Sequence, residues 1–292
     1  MRPLAHANPS NRTFGAGGPG WRRVRDSAPM TNDDVRLRRE PPRFRTVEVR
    51  AVEPVGARLL RVTFAGAELV GLRAELPAAS LRLLLPRERG GPVVVPDWNG
   101  NEFRFADGTR PPIRTLTPWR VDPDTGVIDV GIVLHPGGAL SDWAAAAGPG
   151  APAAIAGFGR GETVDPDAPG YLIAGDETAI PAITQLAVAI PETVPLEVHV
   201  EIAAPDGRVA LPTRTYRRCE WHERPAGAAP GSALVEAVRA ASIAPGTRVW
   251  AAGEAAAMQR IRKICFEERE TPRPHTTIRG YWKHGRAGDA PA

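Results

Sequence analysis

Hydrophobic and polar positions change period once along this chain of 292 residues, and the change divides it. From about Phe44 the pattern is that of short strands. Val47, Val49 and Ala51 alternate with Thr46, Glu48 and Arg50, and Leu60, Val62 and Phe64 alternate with Arg61 and Thr63. Apolar runs follow at 81–85 and 113–116, then Ile128, Val130, Ile132 and Leu134 alternate, and a last run covers 153–157. Period-two segments punctuated by Gly and Pro predict a small antiparallel barrel or sandwich. Residues 86–101 read as a loop insertion.

Beyond a polar connector at 157–170, strands alternate with helices. The stretch YLIAGDETAIPAITQLAVAI (171–190) organises this half. Its first four residues make a buried strand, and Gly175 breaks the run. Thr178 caps a helix with Pro181 in its first turn, and Ile183, Leu186, Ala187 and Ile190 form that helix's apolar face. Next come a strand at 196–202 with Val198, Val200 and Ile202 alternating, a strand at 217–222, and a helix at 233–241 capped by Ser232. A strand at 248–252, a helix at 254–268 and a strand at 277–281 complete the rhythm. It is that of an open, doubly wound parallel sheet. Residues 1–40, rich in Pro, Gly and Arg, show no period and read as disordered, with Met30 as an alternative start.

Charge changes the picture little. The net +4 resides in residues 1–40, which hold eight arginines against four acids, so the remainder is neutral and does not read as a nucleic-acid binder. The 42% hydrophobic and 24% charged content is that of a globular chain; no run is long enough to span a membrane, and no secretory signal is visible. Cys219 and Cys265 stand alone, which fits a reducing cytoplasm. The six histidines show no metal-ligand spacing, so no metal site is expected.

Four constellations carry candidate chemistry. Strand–glycine–helix junctions recur at Gly175–Asp176–Glu177–Thr178 and at Gly253–Glu254; each reads either as a nucleotide-binding edge of the parallel sheet or as an ordinary capped joint. Arg114, Thr115, Leu116 and Thr117 offer a forked cation and an extended backbone on a barrel strand, or simply an exposed strand. His135, Gly138, Ala139 and Ser141 offer a glycine turn and a hydroxyl ahead of a helix, for pyrophosphate or for capping alone. The terminal Gly-Tyr-Trp-Lys-His-Gly run places Trp282 and Lys283 where they either wall a planar ligand or pack the last strand. No nucleophile–base set or carboxylate pair stands out, which favours redox chemistry borrowed from a cofactor over hydrolysis, and no side chain is assigned as catalytic.

Together, IRTLTPWR (113–120), HPGGALSDWA (135–144), YLIAGDETAIPAI (171–183), VWAAGEAAAM (249–258) and GYWKHG (280–285) resemble the siderophore-interacting protein family, FAD-dependent ferric-siderophore reductases related to ferredoxin–NADP reductases. The resemblance implies a basic tail at 1–42, a six-stranded antiparallel FAD-binding barrel at 43–160, a parallel-sheet NAD(P)H domain at 168–285 and a short tail at 286–292. It implies FAD as cofactor and NADH or NADPH as donor. Arg114 and Thr117 match its flavin motif, in which Leu116 replaces a tyrosine. Gly138 and Ser141, with His135 beside them, match its pyrophosphate turn, and Gly175–Thr178, Gly253 and Glu254 line the nicotinamide side. Arg160, Lys283 and Arg286 are the cations expected to attract an anionic ferric siderophore, reduced by a cytoplasmic monomer that releases Fe(II). Two other readings share these features: a flavin reductase with another electron acceptor, and a siderophore-binding protein with little turnover.

Overall fold

A computed structural model describes residues 42–286; the tails expected before and after them lie outside the described residues. The first half is one curled antiparallel sheet. Its strands are β1 (Phe44–Pro54), β2 (Leu59–Ala65), β3 (Leu81–Leu84), β6 (Ile113–Leu116), β7 (Pro118–Asp122), β8 (Val127–Val133) and β9 (Pro152–Ala156). They pair in the order β6-β3-β9-β1-β2-β8-β7. Consecutive β6 and β7, separated only by Thr117, therefore occupy opposite edges. The sheet must curl until those edges meet at Thr117, and the seven paired segments are the six expected strands with one bent in two. Inward residues Val47, Val49, Val62, Phe64, Leu83, Val130 and Ile155 fill the barrel, the alternation that the pleat requires. The expected loop at 86–101 ends in a hairpin, β4 (Asp97–Trp98) and β5 (Phe103–Arg104). Phe103 packs on Trp98 within the hairpin at 4.8 Å and holds it against Phe44 at 5.2 Å between ring centres.

The second half is a parallel sheet of β10 (Tyr171–Asp176), β11 (Leu196–Ile202), β12 (Arg218–Glu223), β13 (Arg248–Glu254) and β14 (Thr276–Trp282), ordered β12-β11-β10-β13-β14. After α1 (Ala139–Ala146) in the barrel, α2 (Ile180–Ala189) covers one face of this sheet, and α3 (Ser232–Ala240) and α4 (Ala255–Lys263) cover the other. The second face carries Leu172, Ala174 and Val249 against Leu234, Val238 and Met258. Among the described residues, no helix is long and apolar enough to cross a membrane.

Helix α2 is shared between the two halves. It packs on the parallel sheet and also against β7 and β8, where Leu59, Trp119 and Val133 join its apolar cluster. Pro181 stands so close to Gly131 that a Cβ there would lie 3.0 Å from its ring. Gln185 donates to Pro118 O at 2.5 Å and accepts from Ala78 N at 2.8 Å, stitching the helix to the start of β7 and to a barrel loop. At its far end Arg214 donates to the carbonyls of Ala187, Ile190, Pro191 and Val194, satisfying the end of the helix.

Several local expectations change. Gly175 does not end its strand: β10 runs on to Asp176, whose carboxylate, rather than Thr178, caps the turn that follows. Residues Glu177–Ala179 form a 3-10 turn before α2 starts at Ile180. The cap of α3 is Gly231, not Ser232, and its φ of +78° and the 2.2 Å that would separate a Cβ there from that of Ala257 require glycine. Glu254 ends β13 and caps α4, and the helix continues as a π-turn through Ile264–Glu268. In β11 the expected half-buried alternation gives way to burial of all seven residues, including Glu197, His199 and Glu201, because helices cover both faces.

Cys265 is buried in the α4 layer, which pushes its thiol pKa up to about 11, whereas Cys219 is exposed on β12. A thiol reagent should therefore modify Cys219 in the native protein and reach Cys265 only after unfolding. Modification of both at one rate under native conditions would show that the α4 layer opens readily.

Candidate functional site

The carboxyl ends of β10, β13 and β14 converge on one carboxylate. Asp176 Oδ1 accepts from Thr178 N at 2.9 Å and from the Thr178 hydroxyl at 2.5 Å; Oδ2 accepts from Glu254 N at 3.0 Å and from the Trp282 indole at 2.8 Å. Burial pushes its pKa up, and the four donors pull it back. Gly253 is required here because a Cβ would lie 2.5 Å from Asp176 Oδ2. Gly175 is required because its Cβ would meet that of Ala179 at 2.6 Å. Glu254 continues the chain of contacts: one oxygen caps α4 at Ala257 N, and the other accepts from His284 N at 3.2 Å. Gly175, Asp176, Thr178, Gly253, Glu254 and Trp282 thus form one structural group. The Asp176 carboxylate engages the Thr178 N–H, so the first turn is capped from within.

Glu177 points elsewhere, toward Arg58 at 3.4 Å and Ala203 N at 3.5 Å. Arg58 also donates from Nε to Leu134 O at 3.3 Å, so it ties the barrel turn at 134–135 to the carboxyl edge of the sheet. This arginine gave no sequence signal, because its role depends on two residues that lie 76 and 119 positions away.

On the barrel, Arg114 and Leu116 share one face of β6, paired with Leu83 and Leu81, while Thr115 faces the other way. Leu116 packs against the barrel core. Thr117, at the corner where the sheet closes, is buried, and its hydroxyl lies 3.4 Å from Tyr281 Oη. Tyr281 is the aromatic that sequence reasoning passed over beside Trp282. It packs edge-on to Trp250 at 6.5 Å, and burial raises its pKa.

At the turn, His135 N donates to Ser141 Oγ at 2.9 Å, and the His135 ring lies over Gly138, where a Cβ would sit 2.2 Å from it. Ser141 lies within α1 rather than at its start, so its hydroxyl fixes the turn. No side chain caps α1, whose start at Ala139 leaves first-turn N–H groups available to an anion. A forked cation, an open helix start, a buried hydroxyl and a neighbouring tyrosine are a donor set that fits a flavin dinucleotide.

Of the expected siderophore cations, Arg160 and Lys283 are exposed, as is Arg286. Arg279 on β14 donates to the carbonyls of Arg160 and Gly161 and to Glu162, which brings the 160–162 segment alongside β14. Lys283 follows directly after β14.

The model described as Siderophore-interacting protein matches residues 168–285, and that described as Siderophore-interacting FAD-binding domain matches residues 48–161. An uncharacterized protein of Mycobacterium tuberculosis is 36% identical over 200 residues, covering 62% of this chain and 70% of that protein. The ferric vibriobactin reductase ViuB of Vibrio cholerae is 25% identical over 242 residues, covering 81% and 88%. A siderophore utilization protein from T. fusca superposes with a TM-score of 0.74 at 30% identity, covering 85% of this chain and 95% of that one.

Replacing Asp176 by asparagine keeps the shape but turns an NH2 group toward at least one N–H donor, whichever way the amide lies. Asp176→Asn should cost on the order of 1–3 kcal/mol in urea unfolding followed by tryptophan fluorescence. A loss within about 0.5 kcal/mol, the scale of an unremarkable surface change, would remove Asp176 as the organising group.

Proposed function

Since the chain belongs to the siderophore-interacting protein family, we propose that it is an FAD-dependent reductase of ferric siderophores, driven by NADPH or NADH, that releases iron as Fe(II) in the cytoplasm. Residues 43–160 are the flavin half and residues 168–285 the nicotinamide half of this reading. The observation that carries it is the 3.4 Å approach of Tyr281 to Thr117, because it sets the last strand of the parallel sheet against the barrel corner next to Arg114. A donor bound at one half and an acceptor bound at the other would then meet across a single contact.

FAD, when bound, supplies the conversion between a two-electron donor and a one-electron acceptor. Arg114 and the open start of α1 neutralise the pyrophosphate, and His135 and Ser141 hold the turn that presents that helix start. Thr117 and Tyr281 shape the ring end of the site, where Leu116 offers no aromatic face. The Asp176 group keeps the ends of β10, β13 and β14 fixed, so that a nicotinamide edged by Gly175–Thr178 and Gly253–Glu254 meets a rigid wall. Arg160, Lys283 and Arg286 supply positive charge for an anionic ferric complex. Hard oxygen donors hold Fe(III) far better than Fe(II), so reduction loosens the iron.

The purified protein should bind FAD, and Arg114→Ala should weaken that binding by about 1.5–3 kcal/mol, the scale of a charge-assisted hydrogen bond. In anaerobic stopped flow, NADPH or NADH should bleach the bound flavin, and a ferric siderophore should restore its absorbance. A protein that takes up no FAD would end this reading. A flavin that neither nucleotide reduces, in a protein that still binds ferric siderophore, would make it a binding module. Bleaching without reoxidation by any ferric chelate would make it an electron-transfer flavoprotein with another acceptor.

A further inference from the structure

Away from the flavin site, the outer edge of the parallel sheet carries a second cluster that the mechanism does not use. Two strands repeat the same pattern: Glu197-Val198-His199 on β11 and Glu220-Trp221-His222 on the edge strand β12. Register sets His199 opposite Glu220 and Glu201 opposite His222, so all four side chains lie on the face covered by α3 and α4. His199 Nδ1 and His222 Nε2 are 2.9 Å apart. Glu220 Oε2 lies 3.7 Å from the first and 3.8 Å from the second. A triangle with those edges has a circumradius of about 2.0 Å, the length of a zinc–nitrogen or zinc–oxygen bond. One point is thus at bonding distance from two imidazole nitrogens and one carboxylate oxygen.

The groups behind these three atoms orient them in the same way. Glu197, buried, accepts from His199 Nε2 at 2.8 Å, which puts the ring proton on that nitrogen and leaves the Nδ1 lone pair facing the cluster. A carboxylate behind the far nitrogen of a histidine is the usual support of a metal-bound imidazole. Arg218 Nε takes the other oxygen of Glu220 at 2.7 Å, so Oε2 is left for the cluster. His199 is almost wholly buried, but the Glu220 side chain is 38% exposed, which gives an ion an entry path and an open coordination position.

We propose that His199, His222 and Glu220 form a divalent transition-metal site, with Glu197 and Arg218 as its supporting shell, that pins edge strand β12 to β11. Two nitrogens and one oxygen exclude magnesium and calcium as preferred occupants and suit Zn2+, which stands above Fe2+ and Mn2+ in affinity for such donors. On binding, His222 carries its proton on Nδ1 and gives its Nε2 lone pair to the ion. Without metal, the same two rings share a hydrogen bond from His222 Nε2 to His199 Nδ1. The site does not depend on the flavin reading, since it lies at the opposite edge of the sheet from β14.

The test uses the full chain, free of any affinity tag and stripped with a chelator. Zn2+ titrated against a chromophoric competitor should bind one ion per chain, and Co2+ should give the visible absorption of a four- or five-coordinate ion. His222→Ala should abolish both, Glu220→Gln should weaken both, and Glu197→Gln should cost about 10–100-fold in Zn2+ affinity, the usual effect of removing such a support. Zn2+ should raise the melting temperature of wild type and slow amide exchange in β12, and do neither in His222→Ala; replacing His275, which directly precedes β14 at the opposite sheet edge, by alanine should leave the behaviour of wild type. If His222→Ala does not fold, the Glu220→Gln and Glu197→Gln titrations decide. Failure of the stripped wild type to bind Zn2+, or Zn2+ affinity unchanged in these variants, would reduce the cluster to a hydrogen-bonded histidine pair and overturn the proposal.

Discussion

One buried carboxylate sets the geometry of the parallel sheet's working edge. Asp176 accepts two donors from its own turn and one from each of the next two strands, so β10, β13 and β14 cannot shift in register without stranding a donor in a dry interior. The two glycines beside it follow from the same crowding, because side chains at Gly175 and Gly253 would occupy the space of the carboxylate and of the turn it caps. Glu254 then passes the constraint to α4 and to the backbone of His284. The acidic turn is a strut for the strand ends beside it.

The barrel and the sheet are joined with comparable economy. Helix α2 is apolar on the side facing its own sheet and also where Leu59, Trp119 and Val133 press on it. Gln185 satisfies the carbonyl of Pro118 at the start of β7 and the loop N–H of Ala78. Arg58 and the Thr117–Tyr281 contact add two polar links at the rim. The region proposed for electron transfer therefore lies along a seam already closed by packing.

Period two in the first half and the strand–helix rhythm in the second were enough to read both layers from the sequence, because each alternation reflects burial on one face. What escaped depended on distance along the chain. Gly175 marked a junction, but only the close approach of Ala179 shows why a glycine stands there inside a strand. The alternation of Val198, Val200 and Ile202 hid the burial of Glu197, His199 and Glu201, since local pattern cannot report a helix that packs from thirty residues away. His199 and His222, 23 positions apart, became neighbours only through strand pairing. Tyr281 stood inside a quoted motif, yet its contact with Thr117 spans 164 positions. The capping of α3 by Gly231 rather than Ser232 turned on a positive φ that composition does not reveal.

The double role of α2 has a bearing on how the chain assembles during synthesis. The barrel's last strand, β9, ends at Ala156, and α2 begins at Ile180. While those residues are still being added, Gly131, Val133 and Trp119 lack the cover of α2, and the groups bonded by Gln185 lack their partner. The first half thus leaves the ribosome with an apolar flank that its own sequence cannot bury, and it is completed by the first helix of the second half.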